Sequence, residues 1–285
     1  MQTKSRVIKA GPKSTGVGPR VIAVTSGKGG VGKSNITVNL AMALSDLGQR
    51  VVIFDADLGL ANIEVLLGLK PRYTLYDFLY NGKTITEIIS PGPQNVSLIS
   101  GGAGFMELAN LDAESLQSLQ DAMQVLESNV DIVLVDTGAG LNKNVLAFVA
   151  AAHELIVVVT PEPTSITDAY GLIKVVANYN VHQEINIIVN RVLNKQEADS
   201  TISKLQITAT HFLPHITINP LGSVPDDKAV VQAVKEQTPF VLYSPHSKAA
   251  GAVKKMADRL MGVEKEGKGA GGLSKFFNRL TRLFG

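Results

Sequence analysis

The sequence predicts an α/β protein built on a doubly wound, mostly parallel sheet. Six short runs are continuously apolar and rich in β-branched residues, as expected of parallel strands that are covered on both faces. Helical segments lie between most of these runs, and this βαβ alternation favours a doubly wound sheet. The predicted strands are Val21–Thr25, Val51–Asp55, Val96–Ile99, Ile132–Asp136, Leu155–Thr160 and Ile185–Asn190.

The composition limits the class of protein. Of the 285 residues, 45% are hydrophobic and 18% are charged, which is typical of a globular protein with a sizeable core. The chain has no cysteine, so disulfides, iron–sulfur clusters and thiolate zinc sites are excluded. No run approaches the roughly 18 apolar residues of a spanning helix, and the N-terminus has no apolar signal region. We therefore expect a cytoplasmic protein.

Four regions are expected along the chain. Residues 1–19 are rich in Gly, Pro and Lys and predict a flexible basic tail, whereas residues 20–262 contain all the predicted strands. Residues 263–272 have the composition of a flexible linker. A distinct segment, residues 273–285, follows this linker.

A glycine-rich loop directly follows the first predicted strand, and a predicted helix follows the loop. The loop matches the pattern G-x-x-x-x-G-K-[ST]. Its glycines let backbone N–H groups converge on phosphate oxygens, and the helix N-terminus adds its dipole. We expect Lys33 to reach the β- and γ-phosphates and the Ser34 hydroxyl to bind Mg²⁺. The loop consists of Gly27, Lys28, Gly29, Gly30, Val31, Gly32, Lys33 and Ser34.

Aspartates end two of the predicted strands. Asp55 and Asp57 end the second strand, and Asp136 follows four apolar residues in the strand Ile132–Asp136. Carboxylates at the carboxyl ends of strands beside a phosphate loop face the bound ligand. Asp136 fits a Walker B carboxylate for Mg²⁺, and the glycines after it can move with the γ-phosphate. The alternative is that these aspartates cap turns or simply end strands.

The second lysine of the loop, Lys28, makes the chain resemble the deviant Walker A group, the MinD/ParA (SIMIBI) family of P-loop NTPases, over residues 21–261. The resemblance implies a slow, partner-stimulated, Mg²⁺-dependent ATPase that forms a homodimer when ATP is bound. It implies that Lys28 reaches the partner's nucleotide, that Asp57 positions the hydrolytic water, and that Asp55 supports metal and phosphate. The catalytic set is then Lys28, Lys33 and Asp57, and the metal set is Ser34, Asp55 and Asp136.

Recognition of the base is less apparent in the sequence. The family resemblance implies that Asn190 and the Pro225-Asp226 pair contact adenine, although both also fit ordinary turn chemistry. Asn35 and Asn62 complete the expected nucleotide-binding set. An Asn-Lys-x-Asp guanine signature is missing from the sequence, which favours ATP over GTP.

Three further segments point to a branch of the family. Residues 61–68, 99–104 and 161–170 resemble the flagellar-number regulators called FlhG, FleN or YlxH, and residues 162–165 are also close to MinD. This implies a regulator of flagellar number or placement, with an FlhF-like GTPase or flagellar basal-body proteins as partners. Residues 1–20 lack the Asp-Gln-Ala-x-x-Leu-Arg helix that stimulates FlhF. A septum-site MinD ATPase and a ParA-type DNA-partition ATPase are the alternatives.

Residues 273–285 predict an amphipathic helix with one apolar stripe. The only charges in this segment are basic, at Lys275, Arg279 and Arg282, which suits an anionic membrane surface. Two copies on a dimer would bind a membrane about 10²–10⁴-fold more tightly than one. We therefore expect reversible attachment to the inner face of the cell membrane and no DNA binding. The stripe could instead dock on the protein's own core. It comprises Leu273, Phe276, Phe277, Leu280, Leu283 and Phe284.

Overall fold

A computed structural model describes residues 18–57, 62–101, 112–262 and 272–284 of the chain. They contain one eight-stranded sheet in the order β3-β4-β2-β5-β1-β6-β7-β8, parallel except for the antiparallel pair β3–β4. The doubly wound parallel fold is therefore confirmed. The strands are β1 (Arg20–Ser26), β2 (Val51–Ala56), β3 (Ile89–Pro91), β4 (Val96–Ser100), β5 (Ile132–Ala139), β6 (Glu154–Val159), β7 (Glu184–Val192) and β8 (Thr217–Pro225).

Helices cover both faces of the sheet. They are α1 (Lys33–Asp46), α2 (Asn62–Leu67), α3 (Leu75–Tyr80), α4 (Ile85–Ile88), α5 (Ala113–Glu127), α6 (Lys143–Ala151), α7 (Pro163–Asn178), α8 (Lys195–Phe212), α9 (Lys228–Lys235), α10 (Phe240–Tyr243), α11 (Lys248–Gly262) and α12 (Gly272–Phe284). None of these helices is long and apolar enough to cross a bilayer.

The alternation of side chains along the strands divides the core into two layers. On β1, Val21 and Ala23 join the cluster under α5 to α8, whereas Ile22 and Val24 join the cluster under α1, α10 and α11. Both sets are fully buried, which is why the central strands contain almost no polar residues before their carboxyl ends.

The parallel register places the carboxyl ends of the central strands side by side. In the β2–β5 pair, Asp55 is the direct partner of Asp136, and in the β1–β5 pair Val24 is opposite Asp136. The loop that leaves β1 therefore begins next to both aspartates. It also lies where the strand order reverses around β1, which is where open α/β sheets bind their ligands.

The C-terminal helix α12 packs on the sheet face that carries α5 and α6. The Phe277 ring lies 5.4 Å from that of Phe54 on β2, and the Phe284 ring lies 5.8 Å from that of Phe148 on α6. Of the two arrangements that the sequence left open, the structure has the docked one. Five members of the expected membrane face are consequently buried: Leu273, Phe276, Phe277, Leu280 and Phe284.

The outward face of α12 is basic. Lys275, Arg279 and Arg282 are exposed, together with Leu283, which is the one member of the predicted apolar stripe that remains at the surface. Residues 263–271, most of the predicted linker, and residues 1–17 of the predicted N-terminal tail lie outside the described ranges. Gly272, which we assigned to the linker, is the first residue of α12.

Candidate nucleotide-binding site

The phosphate loop joins β1 to α1 through two glycines with left-handed backbone conformations. Gly30 has φ +80° and Gly32, which precedes α1, has φ +89°, a conformation that favours glycine. A Cβ atom added at Gly29 or Gly30 would meet nothing within 4 Å. The loop is thus an open cradle of main-chain groups at the N-terminus of a 14-residue helix.

Two neighbours fix the position of this loop. A Cβ atom at Gly27 would overlap the backbone of Asp168 on α7, and one at Gly32 would overlap the Asn190 side chain. Asn190, which is buried at the end of β7, donates an Nδ2 hydrogen bond of 2.8 Å to the Val31 carbonyl. Gly27 is therefore required by close packing, and Gly32 both by close packing and by its backbone conformation.

Asp136 is the centre of the hydrogen bonds beneath the loop. Its Oδ2 accepts from Lys33 Nζ at 2.9 Å and from Ser34 Oγ at 2.6 Å, and its Oδ1 accepts from Thr37 Oγ1 at 2.7 Å. Asp136 is fully buried. The structure thus brings the predicted phosphate lysine into contact with two residues of the predicted metal set, Ser34 and Asp136.

Asp55, the third member of the predicted metal set, lies opposite Asp136 in the sheet. Its Oδ1 accepts a 3.2 Å hydrogen bond from the Asp57 N–H, but its Oδ2 is buried with no hydrogen-bond partner among the described residues. Burial, and secondly the nearby Asp136 carboxylate, raise the pKa of Asp55 to about 7. Two adjacent buried carboxylates and a hydroxyl are a suitable ligand set for Mg²⁺.

Asp57 is the first residue after β2 and lies close to the carboxyl end of β5. It is partly exposed, and a Cβ atom at Gly138 would be 3.7 Å from its Oδ1, an ordinary contact distance. The carboxylate is therefore beside the glycine-rich segment that follows Asp136. Residues 58–61 lie outside the described ranges, and Asn62 begins α2 with its side chain exposed.

Lys28 is at the surface, away from the carboxylates beneath the loop. Its Nζ lies 3.2 Å from Glu162 Oε2 and 3.0 Å from Thr164 Oγ1, and its side chain is 40% exposed. Lys33, in contrast, is buried against Asp136. The two lysines of the loop are thus in different environments, one internal and one accessible to another molecule.

A cavity of about 510 Å³ opens beside the phosphate loop at the ends of β7 and β8. The segments predicted to bind adenine, at Asn190 and at Pro225-Asp226, meet in its wall, although they are about 35 residues apart in the chain. Adenine binding by these residues stays a prediction. The lining also includes Gly32, Asn35, Arg191, Asp227 and residues of α9.

Sequence reasoning did not assign three residues that contact the site. Thr37 follows Ser34 by three positions in α1, so it faces the same side of the helix, and this spacing was the available signal. Glu162 and Thr164 lie in a segment that we compared with the family, but nothing local indicated that they would hold Lys28.

The fold and this site define the chain as a P-loop NTPase. The family profile described as "ParA: NUBPL iron-transfer P-loop NTPase" matches residues 19–261. The chain therefore belongs to the ParA/MinD family of P-loop NTPases. With the residues above, this makes it an ATPase that uses Mg²⁺ and ATP, and the predictions of fold, enzyme class and cofactors are confirmed.

Individual relatives place the chain within the family. It is 38% identical to the antiactivator FleN of Pseudomonas aeruginosa, over 92% of this chain and 94% of FleN. It is 35% identical to the flagellum site-determining protein YlxH of Helicobacter pylori, over 93% and 91% of the two chains. A solved structure of the septum site-determining protein MinD from Pyrococcus horikoshii with Mg-ADP aligns at TM-score 0.67 and 26% identity, covering 85% and 96%.

Proposed function

We propose that this ATPase is a switch in which bound ATP causes dimerisation and membrane attachment, and that it regulates the number or placement of flagella. The observation that carries this proposal is the position of the C-terminal helix. Helix α12 packs on α6, and α6 begins three residues after Gly140, the last glycine of the segment that follows Asp136. The nucleotide site and the C-terminal helix are thus joined by a short, continuous piece of structure.

The connection can be followed residue by residue. Asn142 caps α6 by accepting a 2.9 Å hydrogen bond from Val145 N–H, which fixes the helix to the segment after Asp136. At the other end of the contact, Phe148 of α6 packs against Phe284 of α12. A γ-phosphate that draws Gly138–Gly140 towards itself would therefore shift the surface on which α12 rests.

A second route leads through β2. Phe54 immediately precedes Asp55, and its ring packs against Phe277 of α12. A change in the position of Asp55 on metal binding would therefore also shift Phe54, and the docking of α12 depends on its contact with the Phe54 ring. Both predicted metal-binding strands thus reach the same helix.

The free energy of burying the apolar stripe favours a docked α12 until the surface on which α12 rests changes. Full burial of each Leu or Phe contributes about 1.5–3 kcal/mol, and four members of the stripe are fully buried. The exposed basic residues contribute about 1 kcal/mol each near anionic lipid. A docked monomer therefore offers a membrane weak electrostatic attraction, whereas release adds the apolar stripe and dimerisation doubles it.

The exposed lysine of the loop supports the dimer. Lys28 is held by Glu162 and Thr164 at the surface, in an ion pair that solvent screens and that contributes little stability. Moving Lys28 from these partners to the nucleotide of a second copy therefore costs little. Homodimerisation on ATP is consistent with this placement.

The flagellar role is supported by the two relatives that cover nearly the whole chain, since one is named for determining the flagellum site and both belong to the branch that the sequence resembles. A septum-site role is the second candidate, supported by the alignment with MinD. Counting flagella and measuring cell length after deletion of the gene separates the two. Altered flagellar number with normal division supports our proposal, and misplaced septa with normal flagella contradicts it.

Vesicle sedimentation tests the membrane switch. Vesicles of phosphatidylglycerol and phosphatidylcholine are mixed with one of three proteins, in ADP or in ATP. The three proteins are the full-length protein, a variant that lacks residues 273–285, and the Asp57→Ala variant. We expect ATP-dependent sedimentation of the full-length protein, none for the truncated variant, and prolonged sedimentation for Asp57→Ala because hydrolysis is slowed. Equal sedimentation of the full-length and truncated proteins contradicts the proposal, and unchanged turnover of Asp57→Ala contradicts its catalytic role.

A further inference from the structure

Thr37 is a buried hydroxyl in direct contact with the Walker B carboxylate. It lies one turn into α1, is fully buried, and its Oγ1 is 2.7 Å from Asp136 Oδ1. We propose that Thr37 is a positioning residue that orients Asp136 for Mg²⁺. In this role Thr37 acts through the carboxylate that it holds.

The three partners of Asp136 have different roles once Mg-ATP is bound. Lys33 and Ser34, which share Oδ2, are the residues that would bind phosphate and metal. Thr37 lies behind them in the helix and holds the other oxygen. It is therefore the contact that remains to keep Oδ2 directed at the metal. Without the Thr37 hydroxyl, the buried Oδ1 of Asp136 loses its hydrogen-bond donor, and the carboxylate is then free to rotate away from its orientation.

A purely structural role is the competing explanation, and the chain offers a matched control for it. Thr37 Oγ1 is also 3.1 Å from the Lys33 carbonyl, the usual contact of a threonine in a helix. Thr201 in α8 makes the same contact with the Glu197 carbonyl at 2.9 Å and is equally buried, but it lies in a different helix, away from Asp136. Valine at either position removes the hydroxyl and keeps the shape.

The test measures ATP affinity by calorimetry at increasing Mg²⁺ concentrations. It compares the wild-type protein with Thr37→Val, Thr37→Ser and Thr201→Val. We expect Thr37→Val to need about tenfold more Mg²⁺ for half-maximal binding, equivalent to about 1.4 kcal/mol. Its affinity for ATP without metal should be unchanged, and Thr37→Ser should restore the wild-type titration. Thr201→Val should match wild type. An unchanged Mg²⁺ titration in Thr37→Val, or an equal loss without metal, overturns the proposal.

A separate observation concerns how α12 is held. Glu127, the last residue of α5, accepts a 2.6 Å hydrogen bond at Oε1 from the Ser274 N–H in the first turn of α12. Gly272 has φ +49°, and a Cβ atom there would overlap the Glu127 carboxylate. The start of α12 is thus shaped to admit a carboxylate that belongs to another helix.

We infer that Glu127 is a latch that keeps α12 docked, an inference that rests on the proposed membrane switch. The carboxylate satisfies a terminal N–H group and meets the positive end of the helix dipole. This contact exists only in the docked arrangement. The latch therefore stabilises the state that hides the apolar stripe and opposes membrane binding before the nucleotide site changes.

Hydrogen exchange of the α12 amides, in full-length protein without nucleotide or lipid, tests the latch. We expect Glu127→Ala to speed exchange about tenfold, Glu127→Gln to have a smaller effect, and Glu114→Ala, an exposed residue in the first turn of α5, to match wild type. Unchanged exchange in Glu127→Ala overturns the latch. Faster exchange without increased sedimentation on anionic vesicles supports the latch and contradicts the membrane function, so the two failures are distinguishable.

Discussion

The phosphate loop and the C-terminal helix both follow from short sequence patterns, but the two patterns constrain structure very differently. The loop pattern requires positive φ angles at Gly30 and Gly32 and a close approach at Gly27, so one conformation satisfies it. The stripe of α12 requires only an apolar environment, which either a bilayer or the protein core can provide. A pattern that specifies backbone geometry predicts a site, whereas a pattern that specifies only polarity predicts a surface and leaves its partner open.

The largest effect should come from removing the charge that the loop presents to phosphate. Lys33→Ala should lower ATP affinity at least about 100-fold, since hydrogen bonds to charged groups contribute about 1.5–3 kcal/mol each. Calorimetry with Mg-ATP measures this loss, and Lys204→Ala, an exposed lysine on α8, is the control. Retained affinity in Lys33→Ala would show that the loop pattern does not specify the site.

The second prediction separates the docked and exposed members of the C-terminal stripe. Phe277→Ala removes a buried ring and should lower the free energy of unfolding by about 3–5 kcal/mol, or by the docking free energy if that is smaller. Leu283→Ala changes a side chain that is 41% exposed, so it should scarcely affect unfolding in urea but should weaken binding to anionic vesicles. Equal losses of stability in the two variants would contradict the docked arrangement.

The third prediction compares two glycines of the phosphate loop, one closely packed and one with open space around it. Gly27→Ala places a methyl group against the α7 backbone and should destabilise the nucleotide-free protein by about 1–3 kcal/mol. Gly29→Ala enters open space and should change stability by less than about 0.5 kcal/mol. Thermal melting without nucleotide compares the two. If Gly29→Ala proves the more damaging, the packing of the loop is not as described.

The last prediction concerns the proton of Asp55. In the metal-free protein its pKa is about 7, above the ordinary value of 3.8, so the folded state binds the proton more tightly than the unfolded chain does. Its contribution to stability is therefore fully present below about pH 4 and is lost as the pH rises to about 7. Asp55→Asn should remove this decline. Melting curves at pH 5 and pH 8 measure it, and an identical decline in both proteins would contradict the assignment.

Much of the fold was predictable because burial on both faces leaves parallel strands almost free of polar residues. The two outer strands were not predicted. β3 has three residues and contains Pro91, and β8 is interrupted by Pro220 and Gly222, so neither presents the continuous apolar run of a central strand. The side chains of both edge strands are only partly buried, so these strands need fewer apolar residues than the central ones.

The residues of the site were predictable where a sequence motif gives a residue one defined role. Ser34 and Asp136 meet as expected because their motifs specify both residue and position. Thr37 was missed because a threonine in a helix is ordinary, and only the fold reveals which carboxylate faces it. Asn190 lines the cavity beside the loop, and its amide also donates to the Val31 carbonyl, a contact between segments 159 residues apart. Such partners depend on tertiary structure and leave no local signal.

The exchange rate of the α12 amides in two nucleotide states tests the central claim most directly. Asp57→Ala, which should retain ATP, is compared in ADP and in ATP without lipid. The switch predicts that α12 exchanges slowly in ADP and markedly faster in ATP, while the strands β1 and β5 stay protected in both. Equal protection of α12 in ADP and ATP would mean that the nucleotide does not control the helix, and the proposed membrane switch would be wrong.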